Sequence, residues 1–597
     1  MDDIEDLGAV ASADPCPARA AAVRRGVKPS PALPPPCSAD ADCGTSSEPI
    51  PGTQSLYVKT YGCSHNHSDS EYMCGLLQQY GYRLLGAAER EAADLWLINS
   101  CTVKNPSQEH LLTDVRRGRA LGVPVVVAGC VSQGEPDAPE LAGLSIVGVQ
   151  QIDRVVEVVQ EALRGHTVRL LERRARPSLD LPKVRRNRLV EIVPINTGCL
   201  GSCTYCKTVH ARGRLGSYEP DALVARLRSA IGDGVREVWI TSEDTGAYGR
   251  DLTPRCSLPE LMTRMLDAMP DGTMLRVGMT NPPYILQHLE ALAGILNHPR
   301  CYAFLHVPVQ SGSDAVLGAM RREYTAAEFC TVADTLRARV PGLTIATDII
   351  CGFPGESEAD HQATLALVRK YRFPILNISQ FYPRPGTPAA RMKRTPTHVA
   401  KERTREVSAL FKSYEPYAHM KGEEYAVLAT DIAADGKHLV AHDKSYAQVL
   451  LPLRRELLGR SLRVRVTEVA KFYVRAEILD DGGAVADTVE QAAVATLSEA
   501  VAAAAAAAAM GGAPDACGSG DCEGGDCGGG DCEGGECGTG GGGGCAQCGL
   551  EDGACQPPPA LAVARTWEAS WLLAVAAACS CALLAAATVA RPSRLKI

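Results

Sequence analysis

Short apolar runs alternate with amphipathic stretches from residue 55 onward. Residues 56–60, 95–99 and 123–127 are apolar runs bounded by turn-forming residues, and residues 69–80 have the apolar spacing of a helix. Strands that alternate with helices favour a parallel sheet over an antiparallel one. We therefore predict an N-terminal α/β domain with a parallel sheet over residues 55–175.

A second α/β pattern occupies residues 185–412. It contains six strand-like runs separated by helical stretches, and these runs are residues 190–195, 235–240, 275–279, 303–309, 344–350 and 375–381. Six strand–helix repeats fall short of the eight that close a barrel, so we predict a partial (βα)6 barrel that is open at one side. Arg and Lys cluster between the two patterns, over residues 164–188, where we expect an exposed basic linker.

The pattern changes again toward the C-terminus. Residues 423–478 alternate apolar and polar positions in short runs with intervening turns, which predicts a small all-β barrel over residues 413–480. Residues 481–566 form a low-complexity Ala/Gly/Cys linker. Residues 1–54, rich in Ala, Pro and Ser, show no periodicity, and we predict that they are a disordered N-terminal extension.

The last segment, residues 567–597, predicts a membrane anchor. Residues 571–590 contain no charged side chain, and a helix of 20 residues spans about 30 Å, the thickness of the hydrocarbon core of a bilayer. An Ala-rich soluble helix is the alternative. Trp571 at one edge and the basic residues Arg591, Arg594 and Lys596 at the other favour a transmembrane helix, inserted after synthesis as a tail anchor.

Charge and cysteine content narrow the class of protein. The net charge of −8 comes from the ends of the chain, because residues 480–560 alone carry 14 acidic and no basic side chains. The middle of the chain is net basic, which leaves an anionic partner such as a nucleic acid open. The 24 cysteines are not preceded by a secretory signal, since the chain begins with the acidic MDDIED. We therefore expect reduced thiols that bind metal or act in catalysis.

Three cysteines form the motif Cys199-x3-Cys203-x2-Cys206, directly after the first strand of the second α/β pattern. Soft thiolate ligands suit an iron–sulfur cluster or zinc. Three thiolates on one glycine-containing loop can hold three corners of a 4Fe-4S cluster and leave the fourth iron open. A zinc loop with His210 as the fourth ligand is the alternative.

Three further cysteines, Cys63, Cys101 and Cys130, each follow a predicted strand. The carboxyl ends of parallel strands lie at one edge of the sheet, so we expect the three thiols to meet there. They predict a second cluster site with three thiolates, and separate buried apolar cysteines are the alternative. We interpret the other cysteines of the α/β region as structural, namely Cys74, Cys256, Cys301, Cys330 and Cys351.

The sequence around these motifs resembles a known family. The radical-SAM methylthiotransferases are similar to this chain over residues 55–480, in the strings NTGCLGSCTYCKTVHARGRLGSY, YGCSHNHSDSEYM, INSCTVKNPSQ, AGCVSQ, TSEDTGAYGRD, HVPVQSGSD and TDIICGFPGE. Within that family the strings look most like the eukaryotic and archaeal branch, which methylthiolates threonylcarbamoyladenosine in tRNA and whose animal members are tail-anchored.

The resemblance implies a role for each cluster. It implies that the Cys199 site binds S-adenosyl-L-methionine (SAM) and cleaves it to a 5′-deoxyadenosyl radical, and that the Cys63 site carries the sulfur to be inserted. All six cysteines are then catalytic as well as metal ligands. The implied product is the 2-methylthio derivative (ms2t6A) of N(6)-threonylcarbamoyladenosine at position 37 of tRNA. Two alternatives are other substrates of the same reaction, isopentenyladenosine in tRNA or a ribosomal-protein aspartate. The third alternative is a non-catalytic membrane-tethered RNA-binding protein.

Strand-end positions and the resemblance together select SAM contacts. The expected contacts are Glu243 for the SAM ammonium, Gln310 and Ser311 for the ribose or carboxylate, Gly352 and Pro354 for the adenine, and Tyr205 at the border of the pocket. A surface glutamate is the alternative for Glu243, and an ordinary strand-to-helix turn is the alternative for Gly352.

The predicted β barrel resembles a TRAM domain, an RNA-binding module. Its candidate RNA contacts are Lys437, His438, Lys444, Arg465, Lys471, Phe472 and Arg475.

The expected partners are tRNA, an electron donor such as a flavoprotein reductase, and a membrane reached through the C-terminal helix. We expect a single-pass, tail-anchored protein of the endoplasmic reticulum membrane with its catalytic domains in the cytosol. The five-residue cysteine repeat that begins at Cys517 fits a repeat expansion in a stalk better than a metal site.

Overall fold

The computed structural model describes residues 51–102 and 105–480. The low-complexity linker and the transmembrane helix that the sequence predicts lie outside these residues, as does the N-terminal extension apart from residues 51–54. Within the described part of the chain, no helix is long and apolar enough to cross a bilayer.

The N-terminal part is a six-stranded parallel sheet with the strand order β2-β1-β3-β4-β5-β6. Its elements follow in chain order as β1 (Ser55–Thr60), α1 (Ser64–Tyr80), β2 (Arg83–Leu85), β3 (Leu95–Ser100), α2 (Asn105–Ala120), β4 (Val125–Gly129), α3 (Cys130–Gly134), β5 (Ser145–Val147), α4 (Val155–Leu163) and β6 (Arg169–Leu170). The predicted parallel sheet is confirmed. The sequence analysis missed β2, β5 and β6 because strands of two or three residues leave no periodic signal.

Helices cover both faces of this sheet, because side chains of a strand alternate between the two faces. Leu95 and Leu97 of β3 belong to an apolar cluster with residues of α1 and α4. Trp96 and Ile98, on the other face, belong to a cluster with residues of α2. The sheet is therefore the middle layer of three.

The basic segment after this sheet is not an exposed linker in its second half, so that expectation is wrong there. The Lys183 side chain is 1% exposed, with Nζ 3.1 Å from Glu71 Oε2 and 3.0 Å from Glu191 Oε1. The backbone N–H of Val184 donates to the carbonyl of Glu71 at 2.9 Å. Buried carboxylates on both sides hold this lysine, and the segment fastens α1 to the next part of the chain.

The central part contains six parallel strands in two sheets, β7-β10-β11 and β12-β13-β14. Its elements are β7 (Val190–Pro194), β8 (Asn196–Thr197), α5 (Thr208–Arg212), β9 (Gly216–Ser217), α6 (Pro220–Gly232), β10 (Glu237–Thr241), α7 (Leu258–Ala268), β11 (Met274–Val277), α8 (Pro282–Ile285), α9 (Leu289–Asn297), β12 (Phe304–His306), α10 (Asp314–Ala319), α11 (Ala326–Arg339), β13 (Thr344–Cys351), α12 (Glu358–Tyr371), β14 (Ile375–Gln380) and α13 (Thr397–Lys412). Parallel bridges between Leu275 and Cys301 and between Met279 and His306 join the two sheets. Within the described residues β7 and β14 do not pair with each other, so the predicted open six-stranded barrel is confirmed.

The C-terminal described part is a closed antiparallel-rich barrel with the strand order β15-β16-β17-β19-β18. Its strands are β15 (Glu424–Ile432), β16 (His438–Asp443), β17 (Gln448–Pro452), β18 (Ser461–Val469) and β19 (Val474–Asp480). Leu462, Val464 and Val466 of β18 point into its core, and the intervening Arg463 and Arg465 are exposed. This alternation is the one that the sequence predicted, and the small β barrel is confirmed.

An aromatic cluster around one buried arginine joins the β barrel to the α/β barrel. Arg276 of β11 is 2% exposed, and its guanidinium lies over the rings of Trp239, Phe304 and Tyr446 at 4.7 to 5.1 Å. The His442 ring of β16 stacks on Tyr446 with 4.1 Å between ring centroids. Cation–π contacts of this kind strengthen when the cation is removed from water, so the junction is part of the folded core.

Candidate active site

The loop with Cys199, Cys203 and Cys206 folds around its own sulfur atoms, between β8 and α5. The backbone N–H of Gly201 donates to Cys199 Sγ at 3.3 Å, and that of Thr208 donates to Cys206 Sγ at 3.4 Å. A Cβ atom on Gly201 would lie 3.6 and 3.7 Å from the Sγ atoms of Cys199 and Cys203. Both sulfurs therefore lie beside the glycine, on a loop whose N–H groups favour the thiolate form.

Burial and one cation set the electrostatics of these thiols. Burial raises the pKa of Cys199 to about 12 and also raises the pKa of Cys203. Arg322 Nη1 donates to Cys203 Sγ at 3.3 Å and opposes that effect. These thiols therefore keep their protons in water and lose them when a metal binds.

The sheet brings Cys63, Cys101 and Cys130 to neighbouring strand ends, as predicted. Ser100 pairs with Gly129 in the β3–β4 ladder, so Cys101 and Cys130 each lie one residue beyond a paired position. Cys63 is the N-cap residue of α1. A Cβ atom on the preceding Gly62 would lie 2.8 Å from Cys101 Sγ. The three thiols therefore occupy one edge of the sheet.

Asn66, in the first turn of α1, connects these strand ends. Its Nδ2 donates to the carbonyls of Tyr61 and Ser100 at 2.9 and 2.8 Å, and its Oδ1 lies 3.6 Å from Cys130 Sγ. The Asn66 side chain is fully buried. Cys130 is itself a predicted ligand, and Tyr61 and Ser100 lie within two residues of the predicted ligands Cys63 and Cys101. Asn66 therefore fixes the spacing of the site.

Arg212 links the two cysteine sites. It lies at the end of α5, six residues after Cys206, with its side chain 2% exposed. Its Nη2 donates to Asn66 Oδ1 at 2.6 Å and to Asp69 Oδ2 at 2.7 Å, both on α1. Its Nε lies 2.9 Å from Glu243 Oε1, beyond the end of β10. A single buried guanidinium therefore holds the edge of the first sheet against the mouth of the barrel.

A cavity of about 710 Å³ opens between these groups. Cys199, Cys203 and Cys206 line it from the barrel, and Cys63 lines it from the N-terminal sheet. Cys101 and Cys130 do not line the cavity and are 3% and 7% exposed. Both cysteine sites therefore face one space, the second of them through Cys63.

Comparison with known proteins agrees with this arrangement. The Radical SAM superfamily matches residues 193–368, and a family described as "Uncharacterized protein family UPF0004" matches residues 55–144. The threonylcarbamoyladenosine tRNA methylthiotransferase of Drosophila pseudoobscura pseudoobscura is 59% identical over 439 residues, which are 72% of this chain and 78% of that protein. The protein of the same name from Danio rerio is 53% identical over 488 residues, 81% of this chain and 88% of that protein. The chain belongs to the threonylcarbamoyladenosine tRNA methylthiotransferase family.

A solved structure also aligns with this family member. It is that of the radical S-adenosylmethionine methyltransferase TsrM from Kitasatospora setae, with a TM-score of 0.42 and 16% identity over 56% of this chain and 77% of that one.

The donor sets of this methylthiotransferase family member fit 4Fe-4S clusters better than single metal ions. Within the described residues, no group of three His, Cys, Asp or Glu side chains surrounds one metal position. In a cubane cluster each thiolate binds its own iron, so the three thiolates do not have to surround a single metal position. His210, the fourth ligand in the zinc alternative, is exposed. Three thiols on one loop and three at one sheet edge therefore suit two clusters, with SAM as the further cofactor of the Radical SAM superfamily.

Three of the six predicted SAM contacts line the cavity, namely Tyr205, Glu243 and Gln310. Gln310 has a φ of 69°, a conformation that non-glycine residues adopt rarely and mostly where a site requires it. Hydrogen bonds from Gln310 N to Asp348 O (2.8 Å) and from Ile350 N to Gln310 O (2.9 Å) hold it there. Tyr205 borders the cavity with its ring packed edge-on against Phe353, 6.3 Å between centroids.

The other three predicted SAM contacts, Ser311, Gly352 and Pro354, are not among the residues that line the cavity. The Ser311 hydroxyl is fully buried and lies 3.3 Å from Thr364 Oγ1. A Cβ atom on Gly352 would lie 2.4 Å from Ala400 Cβ, so the close approach that requires glycine is to helix α13. Pro354 is buried in the same turn. Gly352 and Pro354 lie in the turn after β13, as in the alternative interpretation of Gly352, and Ser311 lies between β12 and α10.

Glu243 is not free for an ammonium group alone. Its Oε2 accepts from the backbone N–H of Gly198 at 2.8 Å, and its Oε1 lies 2.9 Å from Arg212 Nε and 3.1 Å from His65 Nδ1. Burial opposes its ionisation, but His65 and Arg212 outweigh burial and lower the pKa of Glu243. The carboxylate is therefore ionised and already positioned, whatever else it contacts at the cavity wall.

Several polar groups at the cavity wall are not among the residues that the sequence singles out. His306 Nε2 lies 3.0 Å from Asp348 Oδ1, and Asn377 Nδ2 donates to the same oxygen at 2.9 Å. Asp244 and Asn281 also line the cavity; burial raises the pKa of Asp244 to about 6, and Asn281 Nδ2 donates to Asp244 Oδ2 at 2.6 Å. His306 ends β12, whereas Asp348 and Asn377 lie within β13 and β14, so strand-end position could have indicated His306 alone.

The candidate RNA contacts of the β barrel are largely engaged within the protein. Lys444 Nζ donates to the carbonyls of Leu296 (2.9 Å) and His298 (2.6 Å), so we reassign it to the junction with the α/β barrel. Lys471 Nζ donates to Tyr414 O at 2.5 Å and lies 4.0 Å from the ring centroid of Phe411. Others form exposed ion pairs, which are Arg465 with Glu424 and Glu477, Arg475 with Glu468, and His438 with Asp435. Phe472, 45% exposed, remains available for stacking.

Proposed function

We propose that this protein converts N(6)-threonylcarbamoyladenosine at position 37 of tRNA to its 2-methylthio derivative, ms2t6A. The observation that carries the proposal is that Cys63 and the Cys199–Cys206 group line one cavity. A sulfur atom held at the first site and a radical formed at the second both have to reach the same carbon of one base. The names of relatives at 50–59% identity support the choice of substrate.

The protein's own side chains do the positioning. Bound at the two cysteine sites, the 4Fe-4S clusters and SAM would supply the electron, the radical and the sulfur for this reaction. Cys199, Cys203 and Cys206 would hold one cluster by three corners, and Cys63, Cys101 and Cys130 the other. Arg212 fixes the separation between the two sites, because it binds α1 on one side and Glu243 on the other. Preset geometry of this kind removes orientational cost from the reaction.

Nucleoside mass spectrometry of total tRNA tests the proposal. Cells that lack the gene should contain threonylcarbamoyladenosine without ms2t6A, and the wild-type gene should restore ms2t6A. Cys199→Ala and Cys63→Ala should each fail to restore it. Cys330→Ala, a cysteine of α11 away from the cavity, is the matched control and should restore it fully. Loss of a methylthiolated isopentenyladenosine or of a modified ribosomal protein, with ms2t6A unchanged, would overturn the proposal.

We also propose that residues 571–590 anchor the protein in the endoplasmic reticulum membrane, with the catalytic parts in the cytosol. The support is the uncharged run itself and its basic flank. A flavoprotein reductase is the proposed class of electron donor. A fluorescent fusion of the full chain should stain the endoplasmic reticulum, and a fusion without residues 567–597 should be diffuse. Identical staining of the two fusions would contradict the anchor.

A further inference from the structure

A basic segment without acidic residues runs along one wall of the cavity. Residues 381–396, which we call the basic strap, connect β14 to α13. The strap contains Arg384, Arg391, Lys393 and Arg394 and no Asp or Glu. Of its four positive charges, Arg384 lines the cavity.

The strap is fastened to the cysteine loop. The backbone N–H of Ala389 donates to the carbonyl of Thr204 at 2.9 Å, and Thr204 lies directly after Cys203. Ala389 is fully buried in an apolar cluster with Phe353, and Tyr205 packs against this cluster. At its far end, Thr395 Oγ1 donates to the carbonyl of Phe353 at 2.9 Å. The strap is therefore a fixed wall and not a loose loop.

One end of the strap faces the cavity. Phe381, Tyr382 and Arg384 line it. Arg384 Nη1 donates to the carbonyl of Tyr205 at 3.5 Å, and Tyr382 is 45% exposed. An exposed aromatic ring at a cavity mouth offers a surface on which an unstacked base can lie.

The other end presents unneutralised charge. Arg391, Lys393 and Arg394 are exposed, and none of them forms an ion pair with any residue among 51–102 and 105–480. The exposed arginines of the β barrel differ, since Arg463 and Arg465 both contact Glu424. An unpaired cation keeps its full attraction for a phosphate, whereas a paired one has to give up a carboxylate first.

We propose that the basic strap binds the RNA backbone next to the base being modified, with Arg391, Lys393 and Arg394 as phosphate contacts and Tyr382 as a stacking surface. The inference rests on the proposed function, because it assigns a surface to the tRNA that this function requires. The partner fits by chemistry: a single-stranded RNA loop offers both closely spaced phosphates and bases free to unstack. A base enters the cavity while its flanking phosphates lie on the outer end of the strap.

Equilibrium binding of the full chain to a tRNA that carries threonylcarbamoyladenosine tests the strap. The triple variant Arg391→Gln, Lys393→Gln, Arg394→Gln should weaken binding about tenfold or more at low salt, because three phosphate contacts are lost. The slope of log affinity against log salt concentration should become shallower by about 2, at roughly 0.7 for each lost contact with a single strand. Tyr382→Leu keeps apolar area without an aromatic face and should weaken binding about fivefold or more with the salt slope unchanged.

A control of equal charge separates the strap from net charge. Arg116→Gln, Arg228→Gln, Arg255→Gln removes three exposed arginines on α2, on α6 and before α7, and should leave affinity within about twofold of wild type. Wild-type affinity in the strap variant, or an equal loss in the control variant, would overturn the inference. These results do not decide the proposed function, which fails separately if the wild-type protein makes no ms2t6A.

Discussion

Arg212 Nε lies 2.9 Å from Glu243 Oε1, inside a contact that joins the N-terminal sheet to the barrel. The same guanidinium donates to Asp69 Oδ2 at 2.7 Å. Two carboxylates from different parts of the chain thus share one buried cation. The contact lies between the two cysteine sites, because Asp69 belongs to α1 and Arg212 to α5.

Replacing Arg212 should destabilise the protein. Arg212→Met leaves Asp69 and Glu243 buried without their cation, and breaking a buried pair in this way costs about 3–5 kcal/mol of unfolding free energy. Arg212→Lys keeps the positive charge, so it should lose less stability than Arg212→Met. It should still be less stable than the wild type, because a lysine cannot contact both carboxylates as the planar guanidinium does. Denaturant unfolding of anaerobically prepared protein measures both. Equal stability of the Met variant and the wild type would contradict the role assigned to this residue.

Gly129 should be indispensable at the second cysteine site. It has a φ of 89°, and a Cβ atom there would lie 2.1 Å from Asn99 Oδ1 and 2.4 Å from Ser100 O, beside Cys130. Gly129→Ala should cost about 3 kcal/mol or more and lower the iron content, because backbone next to two ligands has to move. Gly143 is the matched control, with a φ of 73° and no atom within 4 Å of a Cβ. Gly143→Ala should cost only about 1–2 kcal/mol and leave iron content unchanged.

The free energy of unfolding should decrease as the pH is lowered below 6.5, because of His442. Burial, with a smaller effect of the Arg276 charge, lowers the pKa of His442 from 6.5 to about 3. Between those values the unfolded chain binds a proton that the folded protein does not, so unfolding becomes easier as the pH falls. The contribution is about 1.4 kcal/mol for each pH unit below 6.5. His442→Phe keeps a ring against Tyr446 and should flatten this part of the pH–stability curve. Parallel curves for variant and wild type between pH 6.5 and 4.5 would contradict the assignment.

The positions of the six cysteines could be predicted from local patterns in the sequence. Cys63, Cys101 and Cys130 were placed together because each follows an apolar run, and parallel strands share an edge. The Cys199 motif needs only a spacing within one loop. In both cases the signal lies within a few residues of the ligand.

The parts that the sequence could not predict depend on pairing between distant residues. Nothing near Arg212 in the chain shows that it meets Asp69 and Glu243. Gly352 is a different case. Ala400 leaves no room for a side chain there, and in the sequence such a glycine cannot be distinguished from one that makes room for a ligand. Lys444 was assigned to RNA because its charge is visible in the sequence and its backbone partners are not.

We expect two separate groups of three thiolates each to hold a cluster beside one cavity. Iron analysis with Mössbauer spectroscopy of anaerobically reconstituted protein tests it most directly. Two 4Fe-4S clusters correspond to about eight irons per chain, and Cys199→Ala or Cys101→Ala should each retain about four. Zinc in place of iron, a single cluster in the wild-type protein, or loss of all iron in both variants would contradict the account.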